Sequence, residues 1–182
     1  MTETAAQQLL SQALIEESAK KSALVWVRGA SGPARALWHA WHDGAVCLVT
    51  GPGEQPVDGL ELVDGGTATV TARSKDKGGR LVVWPARVVE LAPGGEAWTA
   101  AAEELKGKRL NAPDTATLTE RWAAECRVLR LEPAGAPAQE PGAMPQEPTD
   151  AAPLPTPATT RRAQPEALPR LLRAAARRRG GR

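Results

Sequence analysis

Apolar residues change their spacing along the chain, and each change predicts a change of element. Near the start, Ala6, Leu9, Leu10, Ala13 and Leu14, with Glu17 continuing the row, recur at i, i+3, i+4 and i+7. That is the stripe of an amphipathic helix over about residues 4–20. From Ser22 the spacing becomes two: residues 23–28, 34–42, 45–50, 67–73 and 80–91 are rich in Val, Leu, Thr and Trp and are bounded by Gly, Pro or Asp, which predicts five strands. After Pro93 helical spacing returns. Trp98, Ala101, Ala102 and Leu105 share one face, and Glu104 is placed to pair with Lys108, predicting a helix over about 96–106. Thr119, ahead of Glu120, Arg121 and Trp122, is placed to cap a second short helix reaching about Cys126. Residues 127–131 alternate again, as a last strand does.

The breaks between strands carry the chemistry of tight turns. Asp43-Gly44 and Gly78-Gly79 supply positive φ angles, so consecutive strands are expected to pair antiparallel. The stretch 51–66 is longer and calls for a crossover or a short helical turn around residues 55–62. Five or more short strands in an antiparallel meander favour a small barrel, which removes exposed sheet edges. Pro85, which cannot donate a ladder bond, marks an edge or a bulge.

Composition divides the chain. Ten of its sixteen prolines fall between Pro133 and Pro169 among Ala, Gln, Glu and Thr. Such a segment buries too little to offset its ordering entropy. Residues 1–132 are therefore expected to fold as one domain, 133–160 to form a disordered linker, and 161–182 an Arg-rich tail. The first 132 residues hold 15 basic and 17 acidic side chains, whereas residues 133–182 hold eight arginines against four acids. Leu168, Leu171, Leu172 and Ala175 would share a face of a short basic helix, suited to nucleic acid, an anionic membrane surface or an acidic protein surface; an Ala/Arg-biased disordered tail accounts for it equally well. No run of about 18 apolar residues predicts a membrane span, and the N-terminal residues lack the order of a secretory signal, so a cytoplasmic protein is expected. Cys47 and Cys126 have no partner at metal or disulfide spacing and read as small core residues.

Three groups of residues are candidates for chemistry. Arg73, Ser74, Lys75, Lys77 and Arg80 concentrate four cations and a hydroxyl around two glycines, an arrangement that can hold an anion and that a solvated hairpin also shows. Trp38, Trp41 and Trp84 are planar groups on adjacent strands that could flank a flat ring. With no Phe or Tyr in the chain, Trp also has to fill aromatic core positions. His39 and His42 lack a carboxylate at diagnostic spacing, which makes packing their plainer role beside proton relay or ligand contact. No side chain stands out as an acid, base or nucleophile, and no metal site is indicated.

The hairpin from Arg35 through Trp38, His39, Asp43 and Gly44 to Thr50 resembles the FMN-binding split-barrel family, of the pyridoxamine 5′-phosphate oxidase-like type. That family shows an Arg-led strand, an Asp/Gly turn and a strand ending in Thr. The basic hairpin 73–80 and the helix ending near Lys108-Arg109 match as well, and the resemblance spans about residues 22–133. It implies a mainly β fold with flanking helices, a six-stranded antiparallel split barrel, a homodimer, and a flavin-type cofactor in a cleft between subunits. The expected activity is that of an FMN- or F420-dependent oxidoreductase acting on a small molecule. On this resemblance together with the residue chemistry above, cofactor contacts are expected at Arg35, Trp38, His39, Thr50, Gln55, Arg73, Ser74, Lys75, Lys77, Arg80 and Trp84. Where the oxidase branch carries a Ser-Arg/Lys-Lys phosphate cluster, this chain reads Gly51-Pro52-Gly53-Glu54-Gln55. A non-enzymatic dimeric scaffold or ligand binder with a basic tail contacting nucleic acid or an acidic partner is the competing reading.

Overall fold

Period-two alternation and short Gly-containing turns build most of the structure, a computed structural model that describes residues 2–74 and 79–143, with side chains from residue 5. Lys75, Lys77, the stretch 144–160 and the Arg-rich tail lie outside the described residues. The elements run α1 (Thr2–Lys21), β1 (Leu24–Arg28), β2 (Arg35–Trp38), β3 (Ala40–His42), β4 (Ala45–Thr50), β5 (Thr67–Arg73), β6 (Arg80–Leu91), α2 (Glu96–Lys108), α3 (Leu118–Glu125) and β7 (Arg127–Pro133). All strands join one sheet, in the order β2-β1-β5-β6-β7-β4-β3, and each described pairing is antiparallel.

The sheet has seven strands rather than the expected six, because the predicted strand over 34–42 is broken at His39. Its first half pairs with β1 and its second with β4. The two end strands of the sheet, β2 and β3, are thus consecutive in the chain, and the sheet curls until its ends meet through one residue. The Gln55 side chain stabilises the break: its Oε1 accepts from the Trp38 N–H and its Nε2 donates to the Trp38 carbonyl, both at 2.9 Å. A side-chain amide therefore satisfies the main-chain groups that a neighbouring strand would otherwise pair.

Alternation then produces two cores. Val46, Leu48, Leu129 and Leu131 point inward with Val25, Val70 and Trp84. Cys47, Val49 and Val128 point outward and are covered by Trp98, Leu105, Leu118 and Trp122 of α2 and α3. All six residues of β4 are buried for this reason. Among the described residues no helix covers the outer side of β1: Leu24 is 47% exposed and Trp26 half-buried. Beyond β7 the chain stays on the sheet, where Val83 and Gln139 exchange main-chain bonds and Arg80 donates to the Gln139 side chain at 3.0 Å. The stretch read as the start of a linker is thus paired with β6 up to Gln139.

Two local expectations are corrected. In α1 the face turned to the barrel is Ser11, Ile15, Ser18 and Ala19, while Leu9 and Leu10 are each 66% exposed. The small serines allow the helix close to the sheet, so Leu9 and Leu10 face away while Leu14 still packs against the inner core. Thr119 lies inside α3, whose N-cap is Thr117. The stretch 51–66 makes the crossover expected of it, carrying the chain from β4 to the non-adjacent β5 through turns and not through a helix, and it is held by two close approaches. A Cβ on Gly29 would lie 1.7 Å from the Leu60 carbonyl oxygen, and one on Gly51, at φ 142°, would lie 2.9 Å from both Cα and Sγ of Cys126.

Candidate functional site

The break at His39 sits beside the C-terminus of α1, and the two create a cleft of about 340 Å³. Lys20, Lys21, Ser22 and Ala23 form one wall, Trp38 and His39 another, and Lys108 and Leu110 close it from the end of α2. Trp38 is half-buried, and the Arg109 guanidinium stands 6.0 Å from its ring centroid, within range of a cation–π contact. Lys20 and Lys21 pair with Glu16 and Glu17 one turn back. Lys108 makes no ion pair among the described residues, the expected Glu104 pair included.

His39 is 4% exposed, and its Nε2 lies 2.9 Å from the Ala19 carbonyl oxygen. A carbonyl only accepts, so Nε2 carries the hydrogen and Nδ1 is the bare acceptor of a neutral ring. Nδ1 is buried without a partner. Burial holds the imidazole down at about 4 against the bonus of the Ala19 bond, with Lys108 adding to the depression. The ring is thus neutral at physiological pH and ties the end of α1 to the strand break.

Around this point the structure brings together five of the residues expected at the site. Besides Trp38 and His39, Thr50 donates through Oγ1 to the Gln55 carbonyl at 2.9 Å, Gln55 spends its amide on Trp38, and Arg35 reaches the Pro56 carbonyl at 3.5 Å. The polar groups of Thr50 and Gln55 therefore shape the cleft wall from within the protein. A second group lies further along the sheet. Leu24 pairs with Trp38 and adjoins the Val25–Ala72 pair, so Trp38, Leu24 and Arg73 form a row across three strands, at about 5 Å per step. Arg80 pairs with Arg73 in turn. Arg73 stacks over Trp26 at 4.5 Å, its carbonyl accepts from Ser22 Oγ at 3.3 Å, and the Ser74 N–H donates to the Gly79 carbonyl. Trp84 stands apart from both groups: it is wholly buried in the inner core, with no surface to offer a ligand, because inward alternation in β6 sends it into the barrel.

Sequence reasoning overlooked the charged knot behind Trp38. Glu54, whose side chain is 0% exposed, accepts from Arg109 Nε at 2.9 Å, from Arg121 Nη2 at 2.8 Å and from Trp122 Nε1 at 3.0 Å. Arg121 also donates to Asp114 at 2.6 Å and to the Pro52 carbonyl at 2.6 Å. Asp114 first, then Glu54, raises the Arg121 pKa further, and the same pairing lowers that of Asp114. The only sequence signal was the acid at position 54 where the resembled family carries cations. Its two arginine partners lie 55 and 67 residues away.

Other chemistries lack the groups they need. Burial pushes the Cys47 thiol up to about 11 and raises that of Cys126, the opposite of nucleophile activation. Among the described residues no group of three or more His, Cys, Asp and Glu side chains converges on a point that could hold a metal. No described helix is long and apolar enough to cross a membrane.

What the fold defines is a class, mainly β, with a curled antiparallel sheet and flanking helices. No family model matches the chain, and no curated protein matches it. Among solved structures it is similar to HutZ, the heme storage protein from Vibrio cholerae, at 10% identity over 70% of this chain and 92% of that one, with a TM-score of 0.49. It is similar also to the conserved hypothetical protein Rv2991 from Mycobacterium tuberculosis, at 15% identity over 68% and 80% of the two chains, with a TM-score of 0.48.

Proposed function

We propose that the cleft binds a planar, anionic redox cofactor of the flavin type, FMN or a deazaflavin such as F420, and that the protein is an oxidoreductase acting on a small molecule. The observation that carries this reading is the half-buried Trp38 ring opening onto the same cleft as Lys20, Lys21 and Lys108. An indole offers a flat apolar surface to an aromatic ring system, and ammonium groups suit a phosphate or carboxylate tail. The volume is that of a small-molecule site. The lining contains no thiol and a histidine held neutral, so the cofactor supplies the electron chemistry while the protein orients it and limits water. The fit is good at the ring end; at Arg109 and Arg121 it is poor, since Glu54 already occupies their donors. A second copy of the chain supplies the remaining wall, against Leu24 and Leu110, which are 47% and 76% exposed beside Trp38.

The test is the visible spectrum of the protein as isolated, with mass identification of anything released on denaturation. It is followed by titration of stripped protein with FMN and F420 while tryptophan fluorescence is read. We expect micromolar binding that Trp38→Ala weakens by about tenfold, about 1.4 kcal/mol. Hemin, flat and anionic but larger in outline, separates flavin recognition from a general affinity for planar anions. Colourless protein that binds neither cofactor overturns the proposal. The scaffold reading would then gain, and deletion of residues 161–182 would test its basic tail through loss of nucleic-acid or acidic-protein binding.

A further inference from the structure

We infer that the Glu54 carboxylate is a built-in substitute for a ligand phosphate, filling an oxyanion site that the fold constructs next to the cleft and so excluding phosphate from it. Three N–H donors, from Arg109, Arg121 and Trp122, converge on this one carboxylate at 2.8–3.0 Å. All three bonds are charge-assisted by the carboxylate, and two are also ion pairs, the type in which arginine also grips phosphate. The carboxylate is buried and next to the proposed ligand: Arg109 is shared between it and the Trp38 ring, and its neighbours Lys108 and Leu110 line the cleft.

Charge decides what such a site accepts. Arg109 and Arg121 face Glu54 and Asp114, so the knot is formally neutral. A phosphate brought beside it would bury negative charge without compensation, which is costly where water is excluded. Glu54 therefore acts as a specificity residue. It leaves the lysines on the open side of the cleft as the partners for an anionic tail, and a phosphate directed toward Arg109 gains nothing. This inference rests on the cofactor reading for its ligand, but the oxyanion site can be probed without one.

Glu54→Ala removes the internal anion and leaves one positive charge in excess. FMN and riboflavin share a ring and differ by the phosphate. We expect the FMN affinity of the variant to rise by about tenfold while riboflavin binding stays within about threefold of the unaltered protein. Inorganic phosphate at millimolar concentration should raise the melting temperature of Glu54→Ala and leave the unaltered protein little changed. Arg121→Ala, made in the presence of Glu54, should not weaken FMN binding. Glu54→Ser, which also vacates the site and removes the charge, takes the place of the alanine variant if that one does not fold. A folded Glu54 variant that gains neither FMN affinity nor phosphate-dependent stability overturns the inference, as does a tenfold loss of FMN affinity in Arg121→Ala. If no flavin binds the unaltered protein, the cofactor reading fails, and the phosphate melting experiment still decides this one.

Discussion

The two outer faces of the sheet come from similar sequence and meet different fates. Along β4 and β7 the outward residues Cys47, Val49 and Val128 lie under α2 and α3 and are fully enclosed. Along β1 the outward residues are Leu24, Trp26 and Arg28, and the described chain sends no helix over them. Both faces carry apolar side chains, so outward hydrophobicity alone does not tell which will be covered. What differs is the admixture. Beneath the helices Cys47, Val49 and Val128 are apolar, and Arg130 of the same row is tied to Asp43 and Glu132, whereas the bare face mixes tryptophan and leucine with Arg28, Thr69, Thr71 and Arg73, a composition suited to a partner or ligand that comes and goes. The candidate cleft opens at the seam between the two faces, where the broken strand passes from one to the other.

The sharpest test of that contrast is a pair of tryptophan truncations. Trp122→Ala, at a fully buried position under the helices, should cost about 4 kcal/mol of folding stability. Trp26→Ala on the bare face should cost about 1 kcal/mol, mainly its stack with Arg73. Urea denaturation of both proteins reads the difference, and equal losses would mean that the β1 face is covered after all.

Acid titration probes the seam. The folded His39 imidazole takes up its proton only near 4, against an ordinary value of 6.5, so in that window the unfolded chain binds more protons than the native one. The stabilising contribution is complete above pH 6.5 and is lost as pH falls through this range, by roughly 3 kcal/mol in all. His39→Gln should flatten that part of the stability curve. An unchanged slope would place the acid sensitivity in other groups.

The smallest expected effect on the fold is at Leu24. Leu24→Lys should leave monomer stability within about 0.5 kcal/mol, because the side chain is half in water. If a second copy covers this face, the same change weakens self-association by about tenfold or more, which sedimentation equilibrium measures. A dimer indifferent to the substitution would have to use another surface, such as the exposed Leu9–Leu10 ridge of α1.

How far the sequence spoke follows the range of the interactions involved. β4, β5 and β6 were legible to the residue, since alternation and the Asp43-Gly44 turn are local signals. The break at His39 was not: alternation continues unbroken across it, and its cause is the amide of Gln55, 17 positions from Trp38. The orientation of α1 was misjudged because Ser11 and Ser18 pack against the barrel by their small size, a property that a hydrophobicity stripe does not register. Of the residues lining the candidate cleft, Trp38 and His39 were singled out through the hairpin resemblance, whereas Lys20, Lys21 and Lys108 enter only because the ends of α1 and α2 converge there. Trp84 shows the reverse failure: an aromatic that looked available turned out to be structural.

The strand break at His39 also has a mechanical consequence. Since β2 and β3 are the two rims of the sheet and a lone residue joins them, circumferential closure depends on covalent continuity at that position, not on a ladder of hydrogen bonds. Proteolytic cleavage beside His39 would therefore free both rims at once and offer two pairing-competent edges to other molecules. A cut at the Asp43-Gly44 turn would leave every strand with its neighbour.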